Sequence, residues 1–191
     1  MTNTRRARER AQRHQLIITT ARRIAEAEGW EAVTTRRLAD EIEYSQPVLY
    51  GHFADKNAIV DAVALEGIGE LAEVMRSARL AAGDEPRAAL AAVATAYLEF
   101  AEHNPATFDA MFELATGLTF GDGAPEVLRN AFAELSAVFT PLAGDRDAET
   151  FTEIGWAALH GLVSLQQRGR LRPGLAPQRF AILIDQLTAR P

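Results

Sequence analysis

From its first turns to its end the chain is one helix-forming stretch after another, cut by single glycines, prolines and short polar clusters. Apolar residues recur three and four apart, as a helix face requires, and the strict alternation of a half-buried strand is almost absent. Alanine, the strongest helix former, supplies 36 of the 191 residues. A chain patterned in this way has one fold class open to it, an all-α packing of about nine helices and no sheet.

The breaks place the elements. A first helix is expected from about Arg8 to Glu28, with Ile17, Ala21, Ile24 and Ala25 on one face and Gly29 ending it. Thr34 has the position of an N-cap, with Val33 and Leu38 spaced as a hydrophobic staple around it. A short helix follows over 35–42. Ser45 is a second N-cap candidate, with Gln46 and Pro47 in the first turn of a brief third helix ending near His52 or Phe53. Tyr44 and Leu49 repeat the staple spacing, and Asp55 caps a long fourth helix from Lys56 to about Leu80. Five further helices are expected near 86–103, 105–116, 125–140, 147–168 and 177–189. Two short helices joined by a tight turn after a longer one form a helix-turn-helix skeleton.

Charge sharpens the division. The chain carries a net −6, which at first argues against a nucleic-acid partner. Yet residues 5 to 23 hold seven arginines against the single acid Glu9. Residues 1–56 are net +2 and residues 57–191 net −8, so a polyanion is drawn to the first end and repelled by the rest. The balance of charge therefore changes sign between residues 1–56 and 57–191.

Several classes fall away. With no cysteine there are no disulfides, thiolate metal sites or cysteine nucleophiles. No apolar run approaches a membrane span, and the few apolar residues after the arginines are too short for a signal-peptide core, so a cytoplasmic protein is expected. His103 follows Glu99 by four residues but lacks a third ligand, so no metal is expected, and no cofactor either. Gly67 and Gly69 lie within a helix with no strand before them, which is not a phosphate loop.

The segment Thr34 to Lys56, TTRRLADEIEYSQPVLYGHFADK, resembles the DNA-binding head of the TetR family of bacterial transcriptional regulators. Thr35, Leu38-Ala39, Leu49-Tyr50, His52-Phe53 and Lys56 carry the likeness, and it covers roughly residues 14 to 62. Trp156, His160 and Gly161, with the stretch from Tyr97 to Phe112, resemble the Trp…His-Gly subgroup of the ligand domains in that family. The resemblance implies a helix-turn-helix DNA-binding domain over 1–56 and an effector-binding and dimerisation domain over 57–191, with the third helix entering the major groove N-terminal end first. Ser45, Gln46 and Val48 then lie where side chains reach base edges. Gln46 can pair bidentately with adenine, and Pro47 or Val48 can meet a thymine methyl. Tyr50 and His52 would donate to phosphates, and Lys56, opposed by the dipole of its own helix, would find compensation in a phosphate. Thr34, Thr35, Arg36 and Tyr44 complete the expected DNA-binding set. The arginines at 5 to 13 would track the backbone or reach a minor groove. Gly51 weakens the recognition helix and removes a side chain from its surface, which leaves the base contacts open.

Phe100, Phe108, Met111, Phe112, Trp156 and His160 are candidates for an effector pocket, although a methionine and aromatic cluster is more often core than binding site. The helices near 147–168 and 177–189 are apolar around more than half their circumference, which requires two buried faces and points to a homodimer. Gly155, Ala158 and Gly161 would allow close helix approach. The expected function is a ligand-responsive repressor released from a palindromic operator by a small effector. The alternatives are a helical sensor or adaptor that does not bind DNA, and an all-α enzyme using His160 as acid or base.

Overall fold

The computed structural model describes residues 2–114, 117–119, 121 and 123–189. Among the described residues there are nine α-helices and no strand. They are α1 Thr2–Glu28, α2 Thr35–Glu41, α3 Gln46–Tyr50, α4 Lys56–Ala82, α5 Pro86–His103, α6 Pro105–Asp109, α7 Glu126–Phe139, α8 Ala148–Gln167 and α9 Ala176–Thr188. Short 3-10 turns follow α1 (Trp30–Ala32) and α7 (Thr140–Leu142).

Three local features differ from expectation. α1 begins at Thr2 rather than near Arg8. Glu9 explains this, because it pairs with Arg5 at 2.8 Å and Arg13 at 3.8 Å and so bridges successive turns of a stretch that would otherwise repel itself. The arginines therefore stand on a helix and not on a loose arm. The helix expected over 105–116 is α6 followed by a π-helical turn, Ala110–Leu114, and its expected end at 115–116 lies outside the described residues. Finally, α3 stops at Tyr50.

Side-chain caps help to set the helix starts. Thr34 Oγ1 accepts from Arg37 N at 3.1 Å, Asp55 Oδ1 from Ala58 N at 2.9 Å, and Asp147 Oδ1 from Thr150 N at 2.8 Å. Ser45 has the extended backbone of a cap but makes no capping bond through its hydroxyl. The reason is local: Pro47 has no N–H to offer, and Val48 N already donates to Ser45 O at 2.9 Å.

The chain forms two compact units, one of residues 1–67 with 104–124, the other of 68–103 with 125–191. This grouping is drawn differently from the division at 56/57. Lys56 opens a helix that runs unbroken to Ala82, and α6 packs on α1. In the first unit Ile17, Ala21 and Ile24 of α1 pack in a core with Leu38, Leu49, Ile59, Val63, Phe108 and Met111, all at most 2% exposed. Gly67 has a packing role there. A Cβ on it would meet Thr107 Cγ2 at 2.5 Å and Met111 Sδ at 2.9 Å, so only glycine admits this approach of α4 to α6.

In the second unit the core is built from Leu90, Val93 and Tyr97 of α5, Leu135, Val138 and Phe139 of α7, and Phe151, Leu159 and Val163 of α8. Gly155 belongs to this inner face, since a Cβ there would fall on the Phe139 ring. A neighbouring face of α8 carries Ile154, Ala158, Gly161 and Leu165, at helical spacing. Ile154 is 58% and Leu165 45% exposed, and a Cβ on Gly161 would meet nothing within 4 Å. Ile182 of α9 is likewise 50% exposed.

Candidate nucleic-acid interface

α2 and α3 are joined by a turn whose geometry is set by the backbone. Tyr44 N donates to Ala39 O at 3.0 Å and Glu43 N to Asp40 O at 3.4 Å, the paired bonds of a Schellman ending. That ending needs a left-handed residue, and Glu43 supplies it with φ 57°. The position is one that glycine usually fills, because a Cβ is crowded there. No glycine marks the turn, so its conformation is not legible from residue type.

Leu38 and Ala39 from α2, Ile42, and Leu49 and Phe53 around α3 are all buried. The residues between them turn outward. Tyr44, Ser45, Gln46, Pro47 and Tyr50 are exposed, and Val48 is half-buried. A helix of five residues is too short to hold itself together in water, so α3 owes its place to these anchors. Its N-terminal end and outward side chains form one open surface.

Around that surface the charges sort themselves. Arg37 is held by Glu28, through bonds of 2.7 and 2.5 Å that keep the Glu28 carboxyl below its usual range and raise the guanidinium. Arg23 is paired with Glu41 at 2.5 Å. Arg36 and Thr34 are exposed and Thr35 is half-buried. Beside the turn, Glu9, Gln12, Arg13, Leu16 and Tyr44 line an open groove of about 330 Å³.

His52 is half-buried, and its Nδ1 is buried without a hydrogen-bond partner. His14 lies close by, its ring 6.0 Å from that of His52 and stacked at 4.4 Å on Phe53. Burial first, and then the charges of Arg10, His14 and Arg13, hold the His52 imidazole below its ordinary pKa. Arg10 reaches further still, and its Nη2 donates to Gly51 O at 3.1 Å. No pattern in the sequence announces that contact, since the acceptor is a main-chain oxygen 41 residues away.

Lys56 departs from expectation in its partner. Its ammonium donates to Trp30 O at 2.6 Å, so the unfavourable dipole at the start of α4 is offset inside the protein. Trp30 in turn donates from Nε1 to Ala106 O at 2.8 Å. Glu26 closes the start of α6, accepting from Ala106 N at 3.0 Å, Thr107 N at 2.9 Å and Thr107 Oγ1 at 2.7 Å. Arg22 adds a bond to Asn104 Oδ1 at 3.0 Å. The face of α1 that carries residues 22 and 26 thus holds the first turn of α6 by polar contacts.

The six pocket candidates fall in both units. Phe108, Met111 and Phe112 belong to the first, where Phe108 and Met111 are fully buried and the Phe108 and Phe112 rings lie 4.7 Å apart. Phe100, Trp156 and His160 belong to the second, where Phe100 is buried. There Tyr97 stands between the other two. It accepts from Trp156 Nε1 at 3.2 Å, and its hydroxyl lies 3.1 Å from His160 Nδ1. Indole only donates, so Tyr97 is the acceptor in the first bond, and the tautomer of His160 sets the direction of the second. His160 Nε2 then meets Ser164 Oγ at 3.2 Å. Burial pushes the Tyr97 phenol well above its ordinary pKa, so it stays neutral. Tyr97 opens a stretch that carries the resemblance but is not one of the six pocket candidates; only tertiary packing places it between residues 156 and 160.

Among the described residues no group of three histidine and carboxylate side chains could hold a metal ion, and no helix is long and apolar enough to cross a membrane. A short, tertiary-anchored helix with an open N-terminal surface, preceded by a tight left-handed turn, defines a helix-turn-helix DNA-binding protein. Comparison with known proteins agrees and goes a step further. Residues 17–63 match the model for bacterial regulatory proteins of the tetR family, and residues 90–188 match the Tetracyclin repressor-like C-terminal domain. The chain belongs to the TetR family of transcriptional regulators, a family of DNA-binding proteins and not of enzymes.

Two relatives give the scale of likeness. An uncharacterised HTH-type transcriptional regulator of Mycobacterium tuberculosis is 28% identical over 157 residues, spanning 80% of this chain and 69% of that protein. The class A tetracycline repressor protein of Escherichia coli, from transposon 1721, is 26% identical over 193 residues, spanning 85% and 84%. Among solved structures, a protein with unknown function from Rhodococcus sp. RHA1 has the same fold. Its TM-score is 0.76 at 23% identity, over 92% of this chain and 93% of that one.

Proposed function

We propose that this protein is a homodimeric cytoplasmic repressor that reads a palindromic operator with α3 and leaves it when a small effector binds the C-terminal region. The exposed side chains of Ser45, Gln46, Pro47 and Tyr50 around a buried Leu49 carry the reading. Gln46 is the base reader, with Val48 and Pro47 as apolar contacts. Thr34, Thr35, Arg36, Tyr44, Tyr50 and His52 bind backbone phosphates. Lys56 spends one donor on Trp30 O and keeps two for a phosphate. The dimer forms through the outer faces of α8 and α9, where Ile154, Leu165 and Ile182 are exposed. Relatives named as repressors include the class A tetracycline repressor protein and an HTH-type transcriptional repressor of Corynebacterium diphtheriae, which supports the direction of control.

The effector site is drawn from Phe100, Trp156 and His160 of the second unit, in keeping with the likeness of Trp156, His160 and Gly161 to the Trp…His-Gly subgroup. An effector acts only by preferring the dimer state that does not bind DNA, since affinity common to both states shifts nothing. Selection of duplexes from a random pool tests the reading. The expected product is a two-fold symmetric motif with half-sites about one helical turn apart, bound less tightly as salt rises. Recovery of no motif, with no salt-dependent affinity, would return the protein to the class of adaptors.

A further inference from the structure

We propose that Arg10 is a positioning residue of the recognition helix: by holding the Gly51 carbonyl it fixes the C-terminal end of α3, and with it the register in which Gln46 meets a base. The inference rests on the DNA-binding function proposed for α3 and extends it to a residue that lies outside the helix-turn-helix.

Little holds α3 in place. The helix has five residues, and its buried anchors, Leu49 and Phe53, both lie at its C-terminal half or beyond. Two apolar anchors on one side resist lifting of the helix but resist tilting and sliding less, because apolar contact is non-directional. A directional bond at a fixed point supplies what they lack. The carbonyls at the end of α3 are mostly occupied from within: Leu49 O accepts from His52 N and Phe53 N, and Pro47 O and Val48 O both accept from Gly51 N. Gly51 O is taken by another element, at 3.1 Å from Arg10 Nη2. Gly51 has no side chain and its N–H is spent within the helix, so this oxygen is the polar handle it offers.

Electrostatics favours the same arrangement. A cation at a helix C-terminus is attracted by the partial negative charge gathered there. Arg10 is also the first of the neighbouring charges that hold His52 below its ordinary pKa, which places its charge beside both residues that follow the helix. Arg5 and Arg13 pair with Glu9, whereas Arg10 points to a main-chain oxygen. The arginines of α1 are therefore not interchangeable.

The test uses the full chain with Arg10→Ala and Arg10→Lys. Two quantities are read: amide hydrogen exchange over residues 50–53 without DNA, and the affinity ratio between the best selected duplex and a scrambled one, each across a salt series. Arg10→Ala is expected to speed exchange at His52 and Phe53 about tenfold and to lower the ratio about tenfold, with the salt slope nearly unchanged. Arg10→Lys, which restores a donor and a charge, recovers most of both. If instead Arg10→Ala weakens both duplexes alike, lowers the slope by about 0.9 and leaves exchange untouched, Arg10 is a phosphate contact and the proposal is overturned. If the parent protein discriminates between no duplexes, the DNA-binding reading fails separately. Exchange then decides, and unchanged protection at 51–53 overturns the positioning role.

Discussion

The carboxylate of Glu26, on α1, lies against the first turn of α6, with Thr107 giving it both a backbone N–H at 2.9 Å and a hydroxyl at 2.7 Å. Thr107 is wholly buried. Removing Glu26 leaves the amides of Ala106 and Thr107 without their acceptor in a place water reaches poorly. Glu26→Ala is expected to cost about 2–4 kcal/mol by urea denaturation, since an orphaned buried donor costs about 1–3 kcal/mol. Glu26→Gln, which keeps one acceptor oxygen, is expected to lose about half as much.

Glu43 sits at φ 57° with its side chain exposed. Replacing it with glycine relieves the crowding of Cβ while making the unfolded chain somewhat more flexible. The first effect is the larger, so Glu43→Gly is expected to raise stability by about 0.5–1 kcal/mol, seen as a higher thermal midpoint. A drop in the midpoint would show that the strain lies elsewhere.

Base reading and phosphate binding separate in their signatures. Gln46→Ala is expected to relax preference at one base position, with a loss of about 1–3 kcal/mol on the preferred duplex only. Lys56→Ala is expected to weaken every duplex alike and lower the salt slope by about 0.9. Binding-site logos from random pools check the first, and titrations at several salt concentrations check the second.

The outward face of α8 tests the dimer. A carboxylate at Ile154 or Leu165, which are 58% and 45% exposed, faces solvent in the single chain but would be buried unpaired in a two-fold interface. Ile154→Glu and Leu165→Glu are expected to sediment as 20.8 kDa monomers at micromolar concentration, with their helical content intact. A dimer that survives both changes places the interface on another surface.

The imidazole of His52 gives a pH signature. Its folded pKa is depressed by burial and by Arg10, His14 and Arg13, so the unfolded chain takes up the proton more readily than the folded one. The contribution of this group to stability is therefore whole above about pH 6.5, the ordinary histidine value. It falls as pH drops below that, and levels off once the folded group has protonated too. Urea midpoints between pH 8 and 5 should decline more steeply for the parent than for His52→Leu. Parallel curves would mean that His52 titrates as an ordinary surface histidine.

Much of the head is legible in the sequence because its signals are local. The Thr34 and Asp55 caps, the buried register of Leu38, Leu49 and Phe53, and the breaks between helices depend on residues a few places apart. Part of the candidate DNA-facing set follows from the same register: if Leu49 points inward, Pro47 points away, whereas Gln46, three residues before Leu49, is exposed because it opens the helix. Where local signals fail, the deciding contact is distant or carried by the main chain. Ser45 makes no side-chain cap because Val48 N is satisfied by a carbonyl. Gly155 faces Phe139 inside its own unit, whereas Gly161 is open, although both lie on one helix pattern.

Composition and periodicity thus determined by themselves that the chain is all-helical, where its helices lie, and which end carries the positive charge, because helix propensity and capping act within a few turns. Only the tertiary structure decided that Lys56 bonds Trp30, that Glu26 holds Thr107, that Arg10 reaches Gly51 and that Tyr97 joins Trp156 to His160. Each of those bonds joins residues 26 to 81 positions apart, and no spacing rule along the chain reaches that far. Their partners meet because apolar burial brings the helices together, and the polar groups caught between them must then find one another or stay unpaired.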